Sequence, residues 1–497
     1  MKKNSIVYMI IAAMWLPCPA SGQMPHVVKG EDDVCGAVPN ERQLEWHAME
    51  EMAFIHFNMN TFTGKEWGYG DESESTFNPT DMDAEQIVRA VRDAGLKGLI
   101  LTVKHHDGFC LWPSRFTAHS IRSSQYRGIG KMGTDIHGKP LSTANGGEPD
   151  IVREFAEACA RYGIRFGIYL SPWDRNRADY GTASYIEYYR NQLSELLSDY
   201  GPIFEIWFDG ANGGDGYYGG AREKRHIVPN EYYQWEGTVD LIHRLSPNTL
   251  IFSGMYPDAR WCGNESGYAA ETNWCTGDAD IFFRNNREDA YLLHHGIEDA
   301  KHWVPCEVDV SIRPGWFYHP DQQPKTGEEL FQIYLTSVGR NGNLLLNLPP
   351  DTRGQIPDAD VSALHRFREI KDSVFRRDLV DSASTVVAMG AGSYGGHSQQ
   401  GVADASESGA LLGVALTWKK PVKPHYVVIR EDIEKGQRVR LFEIQAPILG
   451  QWVTIGRGTT IGHKRIIEVD QVETSELRVL ILDSKSEPRL LPIQVYE

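Results

Sequence analysis

The sequence predicts an α/β fold, a (β/α)8-like barrel of the TIM type followed by a C-terminal all-β sandwich. Three observations predict it. From about Leu44, short apolar runs alternate with segments of helical periodicity. The apolar runs end on their C-terminal side in polar or ionisable residues, where a parallel barrel places its chemistry. Beyond about Asp381 helical spacing stops, and short runs separated by turn residues take over.

The elements follow in order. Residues 52–57 form a first strand ending in His56-Phe57-Asn58. A helix over 83–94 sets Ile87, Val88, Val91 and Ala94 on one face, carries acidic residues in its first turn and stops at Gly95. The second strand, 98–103, runs into His105-His106, and a glycine-rich loop continues to about Glu148. A helix over 151–162 closes at Gly163, and the strand 164–170 ends in Ser171-Pro172-Trp173. A helix over 186–197 leads to the strand 203–208, which ends in Asp209. A helix at 240–245 and a strand at 249–253 follow; 328–338, 343–348 and 361–375 read as helix, strand and helix. A doubly wound sheet is the alternative, but no GxGxxG follows the first strand. In the sandwich, strands are expected at 384–389, 411–418, 426–429, 439–444, 452–456 and 477–482.

These runs divide the chain into a catalytic barrel over 23–375 and a sandwich over 381–497, behind a signal peptide over 1–22. Lys2-Lys3 is a basic start, 6–16 is an apolar stretch too short to span a bilayer, and Ala20-Ser21-Gly22 is a small-residue cleavage site. The protein is therefore expected in the periplasm or outside the cell. Leu16-Pro17-Cys18 fits a lipoprotein box poorly, so anchoring through Cys18 is disfavoured. No later run reaches the roughly 18 apolar residues of a spanning helix. The formal charge of −17 argues against nucleic acid or anionic lipid as partner. Cys35, Cys110, Cys159, Cys262, Cys275 and Cys306 form no CxxC pair, so neither a disulfide scaffold nor a zinc site is expected. Thirteen Trp and 22 Tyr suit a carbohydrate site and a large core equally.

Six motifs stand in a telling order: Phe54-Ile55-His56-Phe57, Glu66-Trp67, Lys104-His105-His106-Asp107-Gly108-Phe109, Ile168-Tyr169-Leu170-Ser171, Trp207-Phe208-Asp209-Gly210 and Gly342-Asn343-Leu344-Leu345-Leu346-Asn347. With them the chain resembles the retaining α-L-fucosidases of glycoside hydrolase family 29. The resemblance covers roughly residues 41–353, and the His-His-Asp-Gly-Phe and Trp-Phe-Asp-Gly pair is its most specific part. It implies a fucosylated oligosaccharide or glycoconjugate as substrate and no cofactor.

A retaining glycosidase needs a nucleophilic carboxylate and a second carboxyl that serves as acid, then base. By resemblance Asp209 is the nucleophile. Three residues compete for the second role: Glu265 in Trp261-Cys262-Gly263-Asn264-Glu265, Glu271 and Glu307. Glu265 matches the subgroup that prefers α-1,3/1,4 links, although it lies rather far from Asp209. His56, His105 and His106 match residues that bond fucose hydroxyls, a task suited to neutral imidazole. Glu66, Trp67, Tyr169 and Trp207 complete the expected pocket, and Trp316 matches the aromatic that packs on the C5-methyl side. No metal is expected, because adjacent His residues on a strand point to opposite faces. The segment 307–319 resembles the branched-substrate subgroup, which implies Lewis-type α-1,3/1,4-fucosyl ends, with Asp309 and His319 against the branch galactose. The alternatives are an α-1,2-fucosidase or L-galactosidase on the same machinery, and a non-catalytic carbohydrate-binding protein.

Overall fold

The structure, a computed structural model, describes residues 34–126, 148–253, 257–278, 290–390, 393–395, 397–398 and 410–497. The expected signal peptide lies outside the described residues, as does much of the loop after His106. Residues Cys35–Glu497 form one compact unit.

Eight parallel strands make the barrel: β1 (Glu51–Ile55), β2 (Gly98–Lys104), β3 (Arg165–Leu170), β4 (Glu205–Trp207), β5 (Leu250–Phe252), β6 (Arg260–Trp261), β7 (Cys306–Ser311) and β8 (Gly342–Asn347). Their order is β5-β4-β3-β2-β1-β8-β7-β6, and a single parallel bridge, Phe252 to Ala259, brings the two edges together. The strands are buried on both faces, which explains their nearly continuous apolar sequence. Alternation sorts the side chains. Met52, Phe54, Ile100, Tyr169, Trp207, Leu250, Phe252 and Leu345 fill the barrel. Ala53, Ile55, Leu99, Leu101, Ile168, Ile206 and Leu346 pack outward beneath the helices.

The helices 84–93, 151–162, 183–199, 235–245, 327–337 and 358–374 cover the barrel, close to the segments that periodicity picks out. Asp83 and Asp150 cap two of them by accepting from the N–H of Gln86 and Arg153. Among the elements that escape the sequence reading are the helix Glu41–Met49 and the strands β6 and β7. β5 and β6 are separated only by residues 253–259, too few for a crossover helix.

Five strands of the C-terminal domain form one antiparallel sheet, in the order 385–390, 412–422, 474–484, 439–448, 451–458. A second sheet pairs Arg465–Glu468, Tyr426–Ile429 and Gln494–Tyr496. Its two faces do different work. Val427, Ile429, Ile467 and Val495 join the sandwich core, whereas Tyr426, Val428, Ile466 and Tyr496 pack on the barrel helices. Polar contacts extend this joint to the N-terminal strand ends, where Glu50 meets His463 at 3.3 Å and also Lys464, while Asn341 Oδ1 accepts from the His463 N–H. The pocket described next opens at the opposite ends.

Candidate active site

At the C-terminal mouth of the barrel a recess of about 480 Å³ is lined by Phe54, His56, Glu66, Trp67, His105, Tyr169, Trp207, Asp209, Glu265, Asp309 and Trp316. Nine of the ten residues that the sequence nominates are among them, and the tenth, His106, lies alongside with Nε2 3.7 Å from Asp209 Oδ2. Aromatic rings make the floor: Tyr169 stacks on Trp207 at 5.4 Å between centroids, and Trp207 stacks on Phe252 at 4.4 Å.

Asp209 stands two residues beyond β4. Its Oδ1 accepts the Ala211 N–H at 2.7 Å and its Oδ2 the Tyr169 hydroxyl at 3.0 Å. These donors orient a carboxylate toward the recess. Glu265 lies on the loop after β6, and the Trp316 indole N–H donates to its Oε2 at 3.2 Å. Partial burial raises the Glu265 carboxyl above its ordinary range; the Trp316 N–H opposes this, and the charges of Asp209 and Glu66 add to it.

The other two carboxyls considered for the second role stand elsewhere. Glu271 pairs with Arg340 at 2.5 Å and with Arg465 of the sandwich. Glu307 is fully buried under the floor, accepting from Trp207 Nε1 at 2.9 Å.

The three histidines are neutral and their tautomers follow from their partners. Asn347 donates through Nδ2 to Ser311 Oγ and the Trp316 carbonyl, which leaves Oδ1 to accept Nδ1–H of His56 at 2.8 Å. Ser171 spends its one proton on the Trp173 carbonyl, so its oxygen accepts Nδ1–H of His106 at 2.7 Å. Both rings therefore carry a bare Nε2. His105 is the reverse: Asn60 Nδ2 donates to the Glu66 carbonyl and to His105 Nδ1 at 3.2 Å, leaving the proton on Nε2. Burial lowers all three imidazoles, His56 to about 3 and His106 to about 4. His105 and His106 lie beyond the end of β2 with ring centroids 4.1 Å apart, so the expectation that they face opposite sides is corrected. Among the described residues no group of three or more His, Cys, Asp or Glu is arranged to hold a metal ion.

The surrounding motif residues hold this geometry. Lys104 is buried and bonds Gln192 Oε1 at 2.9 Å and Asp174 Oδ2 at 3.4 Å. Gly108 has a left-handed φ of 84° and abuts Asp174, where a Cβ would collide. Glu66 anchors the loop that carries Trp316: its Oε2 accepts the Trp316 N–H at 3.0 Å and its Oε1 meets His319 Nε2 at 2.7 Å. His319, expected against a branch sugar, thus also braces the pocket wall.

Two contributors were missed or underrated by sequence. Arg175 bonds the Gly68 and Asp215 carbonyls and lies over the Trp173 and Tyr69 rings, fixing the Glu66-Trp67 loop. Asp309 lines the recess itself, and its Oδ1 accepts the Trp261 indole N–H at 2.8 Å. The alternation Glu307-Val308-Asp309-Val310-Ser311 is the signal that could have revealed it. A second, wider recess of about 1090 Å³ shares Trp207, Asp209, Glu265 and Asp309 with the first and continues past Trp261, Arg260 and Pro257.

Two carboxyls facing one aromatic-floored recess at the mouth of a parallel barrel are the equipment of a glycoside hydrolase. The family model described as "Alpha-L-fucosidase" matches residues 34–369. "Alpha-L-fucosidase 1" of Arabidopsis thaliana is 38% identical over 92% of this chain and 87% of its own. "Putative alpha-L-fucosidase 1" of Oryza sativa subsp. japonica is 35% identical over 91% and 83%. The crystal structure of a glycoside hydrolase 29 family member from an unknown rumen bacterium superposes with a TM-score of 0.82 at 40% identity, over 93% of this chain and 78% of that one. The chain belongs to the α-L-fucosidase family.

Proposed function

We propose that this α-L-fucosidase works by double displacement, with Asp209 as nucleophile and Glu265 as acid and base, on α-1,3/1,4-fucosyl ends of branched, Lewis-type glycans. The observation that carries the assignment is that Asp209 and Glu265 line the same recess, whereas Glu271 and Glu307 do not. In the first step Asp209 attacks the anomeric carbon while Glu265 gives its proton to the departing oxygen, leaving a fucosyl ester on Asp209. In the second step the Glu265 carboxylate takes a proton from water, the water oxygen bonds to the anomeric carbon, and the ester bond breaks to return Asp209. The fucose leaves with its configuration retained.

His56 and His106 accept from sugar hydroxyls and His105 donates to one. Trp316 and the floor rings cover the apolar side of the sugar. Support for a branched leaving group comes from the second recess, which begins at Asp209 and Glu265 and gives room beyond the sugar pocket. The catalytic work belongs to 23–375, with 381–497 as a buttress. The N-terminal segment 1–22 directs the protein to the periplasm or medium, which cell fractionation would test.

The deciding experiment is product analysis on a Lewis-a or Lewis-x trisaccharide beside 2′-fucosyllactose, with Asp209→Asn and Glu265→Gln in parallel. Release from the Lewis sugars alone, lost in both variants, is the expected result. Equal release from 2′-fucosyllactose would overturn the linkage assignment. Full activity of Glu265→Gln would overturn its role.

A further inference from the structure

Beneath the pocket the barrel interior holds two carboxyl groups that the reaction does not use. Glu205 opens β4 and Glu307 is the second residue of β7; both are fully buried. Each gives one oxygen to an indole: Trp46 Nε1 donates to Glu205 Oε2 at 3.1 Å, and Trp207 Nε1 to Glu307 Oε1 at 2.9 Å. The remaining oxygens, Glu205 Oε1 and Glu307 Oε2, are buried with no donor to serve them. The two carboxyls lie within hydrogen-bonding reach of each other. Carboxylates only accept, so a bond between them requires a proton on one.

The surroundings are largely apolar. Met52, Phe54, Leu250, Phe252 and Leu345 pack the space from β1, β5 and β8. Asp258 lies beside Glu205, Asp309 and Cys306 beside Glu307, and Tyr169 stacks on Trp207, while the buried Arg260 guanidinium acts on Cys306 and is bonded to the Leu293 and Val304 carbonyls. Two bare anions there would repel in a low dielectric.

We propose that Glu205 and Glu307 share one proton at neutral pH and that this bridged pair is the positioning device for Trp207, the floor of the sugar pocket. The chain of contacts runs Trp46, Glu205, Glu307, Trp207. It holds the indole N–H from below, while Tyr169 and Phe252 stack on the ring. The role for Trp207 rests on the fucosidase reading; the shared proton does not.

Burial raises both carboxyls, Glu307 to about 7 and Glu205 further, through the charge of its neighbour. The native state thus keeps a proton that the unfolded chain releases above the ordinary carboxyl range. Stability from this proton is complete below that range and is lost as pH rises through the titration of the pair.

The test is urea unfolding of the full chain between pH 5 and 7 for wild type, Glu205→Gln and Glu307→Gln, beside KM for an aryl fucoside. One proton corresponds to about a tenfold fall in the folding constant per pH unit. Wild type should show that extra fall, and both amide variants should lack it. Glu307→Leu, which cannot accept from Trp207, should raise KM well above that of Glu307→Gln. An identical pH slope in all three proteins would overturn the proposal. Failure of both amide variants to fold would also overturn it, because an amide supplies the same neutral donor and acceptor as a protonated carboxyl. A fucoside that is not hydrolysed leaves the unfolding comparison intact, so the two readings fail separately.

Discussion

Trp316 donates its indole N–H to Glu265 at 3.2 Å, and so ties the ring proposed to cover the sugar to the proposed acid. The contact favours the ionised carboxyl, against burial and against the charges of Asp209 and Glu66. Trp316→Phe keeps a ring and deletes the donor. The Glu265 carboxyl should then rise further, and the alkaline limb of kcat/KM should move to higher pH. One net hydrogen bond of about 0.5–1.5 kcal/mol sets the accompanying loss at roughly two- to tenfold. A pH–rate profile on an aryl fucoside reads both; an unmoved limb would separate Trp316 from the acid.

Leaving-group dependence isolates the proposed role of Glu265. General acid catalysis is worth about 10²–10⁴-fold. Glu265→Gln should lose on that order with a natural glycan, whose leaving oxygen needs a proton. A nitrophenyl fucoside needs little protonation, so its first step should persist and the fucosyl ester should accumulate. A burst of nitrophenol followed by slow turnover is the expected trace, with azide restoring turnover. Equal losses on both substrates would point to a structural defect.

Much of this site was legible because parallel strands advertise themselves. β1 to β4 read as apolar runs ending in His56, His105-His106, Ser171 and Asp209. β6 was too short to register, and β7 was hidden because Glu307, Asp309 and Ser311 alternate inward and resemble a solvated face. The choice among Glu265, Glu271 and Glu307 was legible only through the resemblance, which favours Glu265. It depends on where Arg340, Arg465 and Trp207 stand, residues distant in sequence from each carboxyl they hold. Tautomers were out of reach, since Asn347, Ser171 and Asn60 set them from elements far apart in sequence.

The histidine protons are directly observable. At pH 7 the nitrogen spectra of the free protein should show neutral rings at His56, His105 and His106. His56 and His106 should carry the proton on Nδ1, and His105 on Nε2. Asn60→Ala removes the donor to His105 and should allow its other tautomer, with a several-fold loss in kcat/KM. The same tautomer at all three positions would refute the assigned network.

Asp309 tests whether a further carboxyl in the recess works as a neutral group. Burial raises it well above its ordinary range, and the charge of Glu265 adds to this. With Oδ1 given to Trp261, Oδ2 is left for the recess. A protonated carboxyl and an amide offer the same donor. Asp309→Asn should therefore lose far less kcat/KM than Asp309→Ala, which strands the Trp261 N–H at a cost of about 1–3 kcal/mol, or some five- to 150-fold. Equal losses in the two variants would mean that the group acts as an anion.

The joint between barrel and sandwich should show the opposite pH sign from the buried pair. Burial opposes ionisation of Glu50, but hydrogen bonds and charge from His463 and Lys464 outweigh it and hold the carboxyl well below its ordinary range. A depressed carboxyl contributes stability above its unfolded titration, near pH 4, and that contribution is lost as pH falls toward the folded one. Glu50→Gln also leaves Lys464, itself buried, without its carboxylate and with only the Tyr334 hydroxyl at 3.4 Å. The loss should be about 3 kcal/mol at pH 7. It should shrink steadily below pH 4, as the wild-type carboxyl itself begins to take up a proton. Because Glu50 lies at the N-terminal strand ends, kcat and KM of the folded variant should stay within about twofold of wild type. Thermal unfolding at pH 7 and pH 3.5 checks the first part, and kinetics below the unfolding temperature check the second. A loss of the same size at both pH values would show that the joint is held by packing of Tyr426, Ile466 and Tyr496, with the ion pair contributing nothing.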